Sequence, residues 1–282
     1  MLDQIEHSKP IACGHDEIEL HTLTCSADLD ACLWAVKSFL VHSGRSTPVI
    51  VHSDGSIRER EAERLGRHLP GCEIIDRARA KEEVAEFLRP YPSLFHYRCT
   101  LDRLMFFKLV DFNFYSRTGR VLAIDSDILW LKEPVQLNGF LDTGRGFFSD
   151  DYQNAYGFDV DALKRYYGIR MLPRVNAGLL HVPGRDAISW DLLDYAASLG
   201  IKHAGDRKFG RGGWFEQTLY AILFSVEQER YERLDGEQYV IPARKPTGDE
   251  DVTAVHCVTP RRPAFRVFAE RAMERNGFPG LF

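Results

Sequence analysis

The segment Val121-Leu122-Ala123-Ile124-Asp125-Ser126-Asp127-Ile128-Leu129-Trp130 restricts what this chain can fold into more than any other stretch. Four consecutive apolar residues, β-branched at both ends and preceded by the turn Arg117-Thr118-Gly119-Arg120, read as a central parallel strand. Such strands carry helices on both faces and lose the polar half of their alternation. The two acids then emerge at the strand's carboxyl end, the edge of an open α/β sheet where ligands bind. Carboxylates this close repel unless something positive lies between them, and with no lysine nearby in sequence a divalent cation is the simplest neutraliser. Two solvated aspartates in a loop would look the same in isolation, so the surrounding chain has to decide.

Upstream, residues 18–24 alternate as a strand, and Ser26 offers a cap to a helix whose stripe is Leu29, Leu33, Val36 and Leu40 and whose end is Gly44. A second strand over 48–52 closes at Ser53-Asp54-Gly55, completing a βαβ unit. A charged helix over 57–68, a strand over 73–76 and a helix over 81–88 continue the alternation that predicts a mostly parallel sheet. Leu101, Leu104 or Met105, Leu109 and Phe112 share a helical face, predicting a helix over 101–112 that carries Arg103 and Lys108.

Downstream, 146–152 reads as a strand ending in acids, 160–167 as a helix, and 175–183 as a strand whose Gly178 marks a bulge or a close approach to the backbone. A helix over 186–199 capped by Gly200 leads to a basic, glycine-rich loop over 202–213. A helix opening at Trp214-Phe215-Glu216-Gln217 runs through Val226, and strands near 239–241 and 253–256 and a helix over 265–276 follow. With no repeat or linker, one α/β domain over 1–282 is expected.

A net charge of −5 with scattered arginines gives no sign of a polyanion-binding surface, so no nucleic-acid partner is expected. Residues 1–7 lack a basic segment followed by an apolar core, and nowhere do about 18 apolar residues run together. The expectation is a cytoplasmic chain without a transmembrane segment, with peripheral membrane contact left open. Cys13, Cys25, Cys32, Cys72, Cys99 and Cys257 contain no Cys-x-x-Cys pair and suit reduced core thiols.

Taken together, these motifs resemble a GT-A glycosyltransferase, most closely the retaining, nucleotide-sugar-dependent group that includes glycogenin and bacterial galactosyltransferases. Asp125-Ser126-Asp127 is similar to that family's Asp-x-Asp, and Arg103-Leu104 or Lys108-Leu109 to its Arg-Leu or Lys-Leu helix. Val175-Asn176-Ala177-Gly178 resembles its Asn-Ala/Ser-Gly strand, Glu216-Gln217 its Asp-Gln, and Val255-His256 its late histidine, all in the family's order.

The resemblance implies a Rossmann-like GT-A domain, with a nucleotide-sugar-binding half over about 17–135 and an acceptor-side half over about 136–282. It implies Mn²⁺ or Mg²⁺ held by Asp125, Asp127 and His256, and a nucleotide-sugar co-substrate with UDP as the expected nucleotide. The donor would contact Thr22, Thr24, Ser26, Arg103, Lys108, Asp125 and Ser126. Asn176, Glu216 and Gln217 would do the chemistry against a saccharide, lipid or protein acceptor. After the histidine the family has a glycine and a lysine; here Cys257-Val258-Thr259-Pro260 intervenes, leaving Arg261 or Arg262 for the diphosphate. Two alternatives use the same residues: a haloacid-dehalogenase-like phosphatase built on Asp125 and Asp127, and a non-catalytic nucleotide-sugar-binding relative.

Overall fold

In the computed structural model, residues 2–206, 214–243, 245–259, 261–275, 277, 278 and 280–282 are described. The first half alternates strand and helix: β1 (Glu19–Thr24), α1 (Leu29–Ser43), β2 (Val49–Ser53), α2 (Glu59–His68), β3 (Glu73–Ile75) and α3 (Arg77–Phe87). The short helices α4 (Pro92–Phe95), α5 (Phe106–Leu109) and α6 (Asp111–Tyr115) lead into β4 (Val121–Ile124), followed by β5 (Ile128–Trp130) and α7 (Val135–Asp142). The second half adds β6 (Gly146–Asp150), α8 (Val160–Tyr167), β7 (Val175–Val182), α9 (Trp190–Lys202) and α10 (Phe215–Val226). Three short strands, β8 (Tyr231–Arg233), β9 (Tyr239–Val240) and β10 (Ala254–His256), precede α11 (Arg262–Glu274).

The main sheet has the order β3-β2-β1-β4-β7-β6-β8, and only β7 runs against the other six strands. Register at its centre is pinned by a buried acid. Glu19 opens β1 and accepts hydrogen bonds from the Ser116 hydroxyl, the Thr118 hydroxyl and the Arg117 amide, so the turn before β4 is tied to β1. Leu20 then stands beside Leu122. Leu122 and Ile124 face one hydrophobic cluster with α1 and α11, while Val121 and Ala123 face a second with α9 and α10. This two-sided burial explains the unbroken apolar run.

Three expectations need correction. The run from 121 to 130 is two strands in different sheets: the chain turns at Asp125-Ser126-Asp127, and β5 joins a three-stranded sheet of order β5-β10-β9. The helix expected over 101–112 starts only at Phe106. Asp102 sits at φ 49, with its carboxylate 2.7 Å from Arg77, and Leu101 and Met105 are exposed instead of forming a stripe. Gly200 lies inside α9 and does not cap it; a Cβ there would fall 2.5 Å from both the Phe215 ring and the Tyr97 hydroxyl, so close ring packing explains the glycine. The loop expected over 202–213 is described only to Asp206, and residues 207–213, like the end of the last predicted helix at 276, lie outside the described residues.

Candidate functional site

His256 meets the acidic turn because β10 pairs antiparallel with β5, placing His256 opposite Ile128 and letting the Cys257 amide donate to the Asp127 carbonyl at 2.9 Å. Its Nε2 lies 3.2 Å from Asp127 Oδ1 and 3.5 Å from Asp125 Oδ2. One ligand atom from each of Asp125, Asp127 and His256 falls within 4.8 Å of the others. Two hard oxygens and one imidazole nitrogen at this spacing fit Mn²⁺ or Mg²⁺.

Gly178 makes this approach possible. A Cβ on it would lie 2.1 Å from His256 Cε1, 2.7 Å from Asp125 Oδ2 and 2.9 Å from Asn176 Oδ1. The Gly178 carbonyl also accepts the Asp125 amide at 2.8 Å, so β7 presses its backbone against the turn.

Positive charge is already built in. Lys108 reaches across from α5 with Nζ 2.7 Å from Asp125 Oδ1. Its backbone is fixed by the Tyr220 hydroxyl of α10, which donates to the Lys108 carbonyl at 2.8 Å. A lysine 17 positions upstream of Asp125 therefore supplies part of the neutralisation, and of Arg103 and Lys108, both expected at the donor, it is Lys108 that reaches the acids. Burial opposes charging Asp125, but Lys108 and His256 outweigh it and hold the carboxyl well below the usual range. Burial likewise opposes a charged His256, yet its hydrogen bonds to Asp125 and Asp127 push its pKa up to about 9. Glu216 is moved the other way: burial raises its pKa, with Lys108 partly opposing.

These groups line one cleft of about 380 Å³. Thr24, Ser126, Asn176, Glu216, Gln217 and Arg262 border it along with the acids, Lys108 and His256. Four expected residues do not. Thr22 is wholly buried in β1 beside the Cys32 thiol, Ser26 is exposed beyond the strand end, Arg103 borders a neighbouring cavity, and Arg261 stacks 5.8 Å over the Tyr152 ring. Ser26 also caps nothing through its side chain; its amide donates to the Ser56 hydroxyl. Arg262 is held by Asp28 through two 2.7 Å contacts and stands 3.8 Å from Asp127.

Asn176 and Gln217 are both engaged with the protein. Asn176 donates to Asp151 and accepts the Gly178 amide, while Gln217 accepts the Ala177 amide and donates to Asp151 and the Ala155 carbonyl. Sequence reasoning gave Asp151 no place here beyond an acid at a strand end, because its importance comes from two partners that lie 25 and 66 residues away.

No protein-family model matches the chain. No curated protein matches it in sequence. Among solved structures it is similar to mouse xyloside xylosyltransferase 1 in its apo form, with TM-score 0.56 and 14% identity over 89% of this chain and 99% of that one. It is also similar to the galactosyltransferase LgtC in complex with donor and acceptor sugar analogues, with TM-score 0.53 and 15% identity over 91% and 96%. The apo bifunctional glycosyltransferase WbbM matches with TM-score 0.55 and 12% identity over 94% of this chain and 51% of that one, so this chain spans about half its length. The α/β architecture, with its seven-stranded, mostly parallel sheet flanked by helices, is accordingly the GT-A fold of these glycosyltransferases.

Proposed function

We propose that the protein is a glycosyltransferase that moves a sugar from a nucleotide-sugar, with UDP as the nucleotide, to an acceptor hydroxyl with retention at the anomeric carbon. The observation that carries this reading is the convergence of Asp125, Asp127 and His256 on the wall of a cleft that also presents Lys108 and Glu216. Mn²⁺ or Mg²⁺ bound to the two aspartates and the histidine would neutralise charge developing on the leaving diphosphate.

The chain's own groups do the remainder. Lys108 holds Asp125 ionised and adds a fixed positive charge next to the diphosphate. Arg262, anchored by Asp28, takes the phosphate role open after His256. Thr24 and Ser126 line the donor end, and Glu216, whose buried carboxyl has a raised proton affinity, takes the acceptor's proton. Asn176 and Gln217 keep the cleft floor in place through Asp151. Within one domain, residues 17–135 are assigned chiefly to the donor and 136–282 chiefly to the acceptor, with His256 and Arg262 reaching the donor side from the second half. A cytoplasmic setting is supported by six free cysteines, and among the described residues no helix is long and apolar enough to cross a membrane.

The test is calorimetry of UDP with and without Mn²⁺, on the wild type and on Asp127→Ala. Metal-dependent binding lost in the variant is expected; metal-independent binding that ignores the substitution would sink the metal-bridged reading. UDP binding with no turnover over a panel of donors and acceptors would favour a non-catalytic relative.

A further inference from the structure

A second cavity, of about 440 Å³, opens beside the cleft. Leu104, Met105, Trp214 and Glu216 border both, so the two spaces adjoin around these four residues. Beyond this junction the walls are rings. Tyr97 stacks on Phe106 with centroids 5.0 Å apart and planes 10° apart, Phe215 packs 4.8 Å from Tyr97, and Phe158 meets Phe215 edge-on at 5.0 Å. Gly200 holds this arrangement open on the α9 side, since any side chain there would collide with Tyr97 and Phe215.

Two features mark the junction. Trp214 is 56% exposed and adopts φ 44, in the left-handed region that bulky residues rarely occupy. Met105 also leaves a large part of its apolar side chain in water. Both stand where a molecule would pass from one space to the other.

We propose that this second cavity receives the acceptor, and that the acceptor is a hydroxylated compound built on a small aromatic ring system, seated among Tyr97, Phe106, Phe158 and Phe215 with its hydroxyl at Glu216. The assignment rests on the glycosyltransferase reading. A volume of this size suits a compact ligand of a few rings. Planar walls select rings over a flexible chain, because offset and edge-on ring contacts are favourable and a chain would lose rotamer freedom on entering. A free saccharide is disfavoured: each hydroxyl it buries needs a partner, and the walls past Glu216 offer mainly Arg103, His203 and the Tyr97 hydroxyl. In the transfer, the bond from the anomeric carbon to the diphosphate oxygen breaks and the diphosphate leaves with the electron pair. A bond from that carbon to the acceptor oxygen forms, and the acceptor's proton passes to the Glu216 carboxylate.

The experiment uses the full chain with Mn²⁺ and a panel of UDP-hexoses, following UDP release with 7-hydroxycoumarin, 1-octanol or lactose as acceptor. Hydroxycoumarin binding is followed separately by its fluorescence. Hydroxycoumarin should accelerate UDP release at least tenfold over the other two. His203→Trp, which adds bulk at an edge of the second cavity only, should weaken hydroxycoumarin binding at least tenfold and leave UDP–Mn²⁺ affinity unchanged. Should that variant fail to fold, Phe158→Leu provides the same comparison with a smaller change in volume. Faster turnover with octanol or lactose, or hydroxycoumarin binding indifferent to the substitutions, overturns the acceptor assignment while UDP binding stands. Absence of UDP binding in the wild type overturns the transferase reading on which it rests.

Discussion

Gly178→Ala is the smallest change that tests how the acidic turn, β7 and β10 share one space. The added methyl would lie 2.1 Å from His256 Cε1, whereas an ordinary contact begins at 3.4 Å, so the imidazole would have to retreat by about 1.3 Å. Asp125 Oδ2 and Asn176 Oδ1, at 2.7 and 2.9 Å from the methyl, block the other directions. Metal–ligand bonds tolerate only about 0.2 Å, so His256 would leave coordinating range. Overpacking of this kind costs about 1–3 kcal/mol, which for a chain of this size lowers the melting temperature by roughly 2–12 °C. Two assays separate the effects: thermal unfolding without metal, and calorimetry of Mn²⁺ with UDP, where a loss of about tenfold or more is expected. Gly66→Ala is the control. It lies on the exposed side of α2 with nothing within 4 Å of the added Cβ, and should stabilise by about 0.5–1 kcal/mol. A Gly178→Ala protein that melts with the wild type and binds Mn²⁺ as tightly would refute the argued crowding.

Proton and metal should compete at His256. Its pKa of about 9 means that below pH 9 an ion must displace a proton, so Mn²⁺ affinity should fall about tenfold for each pH unit lowered from 9 toward 7, and a flat calorimetric profile would contradict this. The metal-free protein should show the opposite trend: a histidine whose folded pKa is raised contributes stability that is complete below pH 6.5 and disappears as pH rises through 9, so melting should decline between pH 6.5 and 8. Away from the site, Arg98 and Asp111 form a fully buried bidentate pair at 2.6 and 2.7 Å, with the guanidinium 3.7 Å from the Phe107 ring. Asp111→Ala should destabilise by about 3–5 kcal/mol in denaturant unfolding, and adding Arg98→Met should recover much of it; an unrecovered double variant would argue against an uncompensated charge as the cause.

What could be read from the chain alone follows from periodicity. The βαβ start, the buried apolar β4 and the glycine in β7 announce themselves because burial on both faces and close backbone approach leave local marks. The start of α5 did not, because Asp102 is held in a left-handed turn by Arg77, an ion pair 25 residues apart that no local pattern encodes. The reversal of β7 is equally invisible locally, since an apolar strand reads the same in either direction. Within the site, Asp125, Asp127 and His256 could be singled out from motif order. Which of the two basic residues on the upstream segment reaches Asp125 was decided only by the packing of α5 against Tyr220.

The pairing of β10 with β5 also has a bearing on biosynthesis. A ribosome releases Asp125 and Asp127 well over a hundred residues before His256, and the parallel strands β1 to β4 can assemble during that interval. The turn between β4 and β5 gains its third ligand only when β10 docks antiparallel and the Cys257 amide closes on Asp127. A chain lacking β10 would therefore hold Asp125 against Lys108 and leave Asp127 without its imidazole neighbour. On the metal-bridged reading proposed above, the three-ligand set would therefore form only once β10 has been made and has docked on β5.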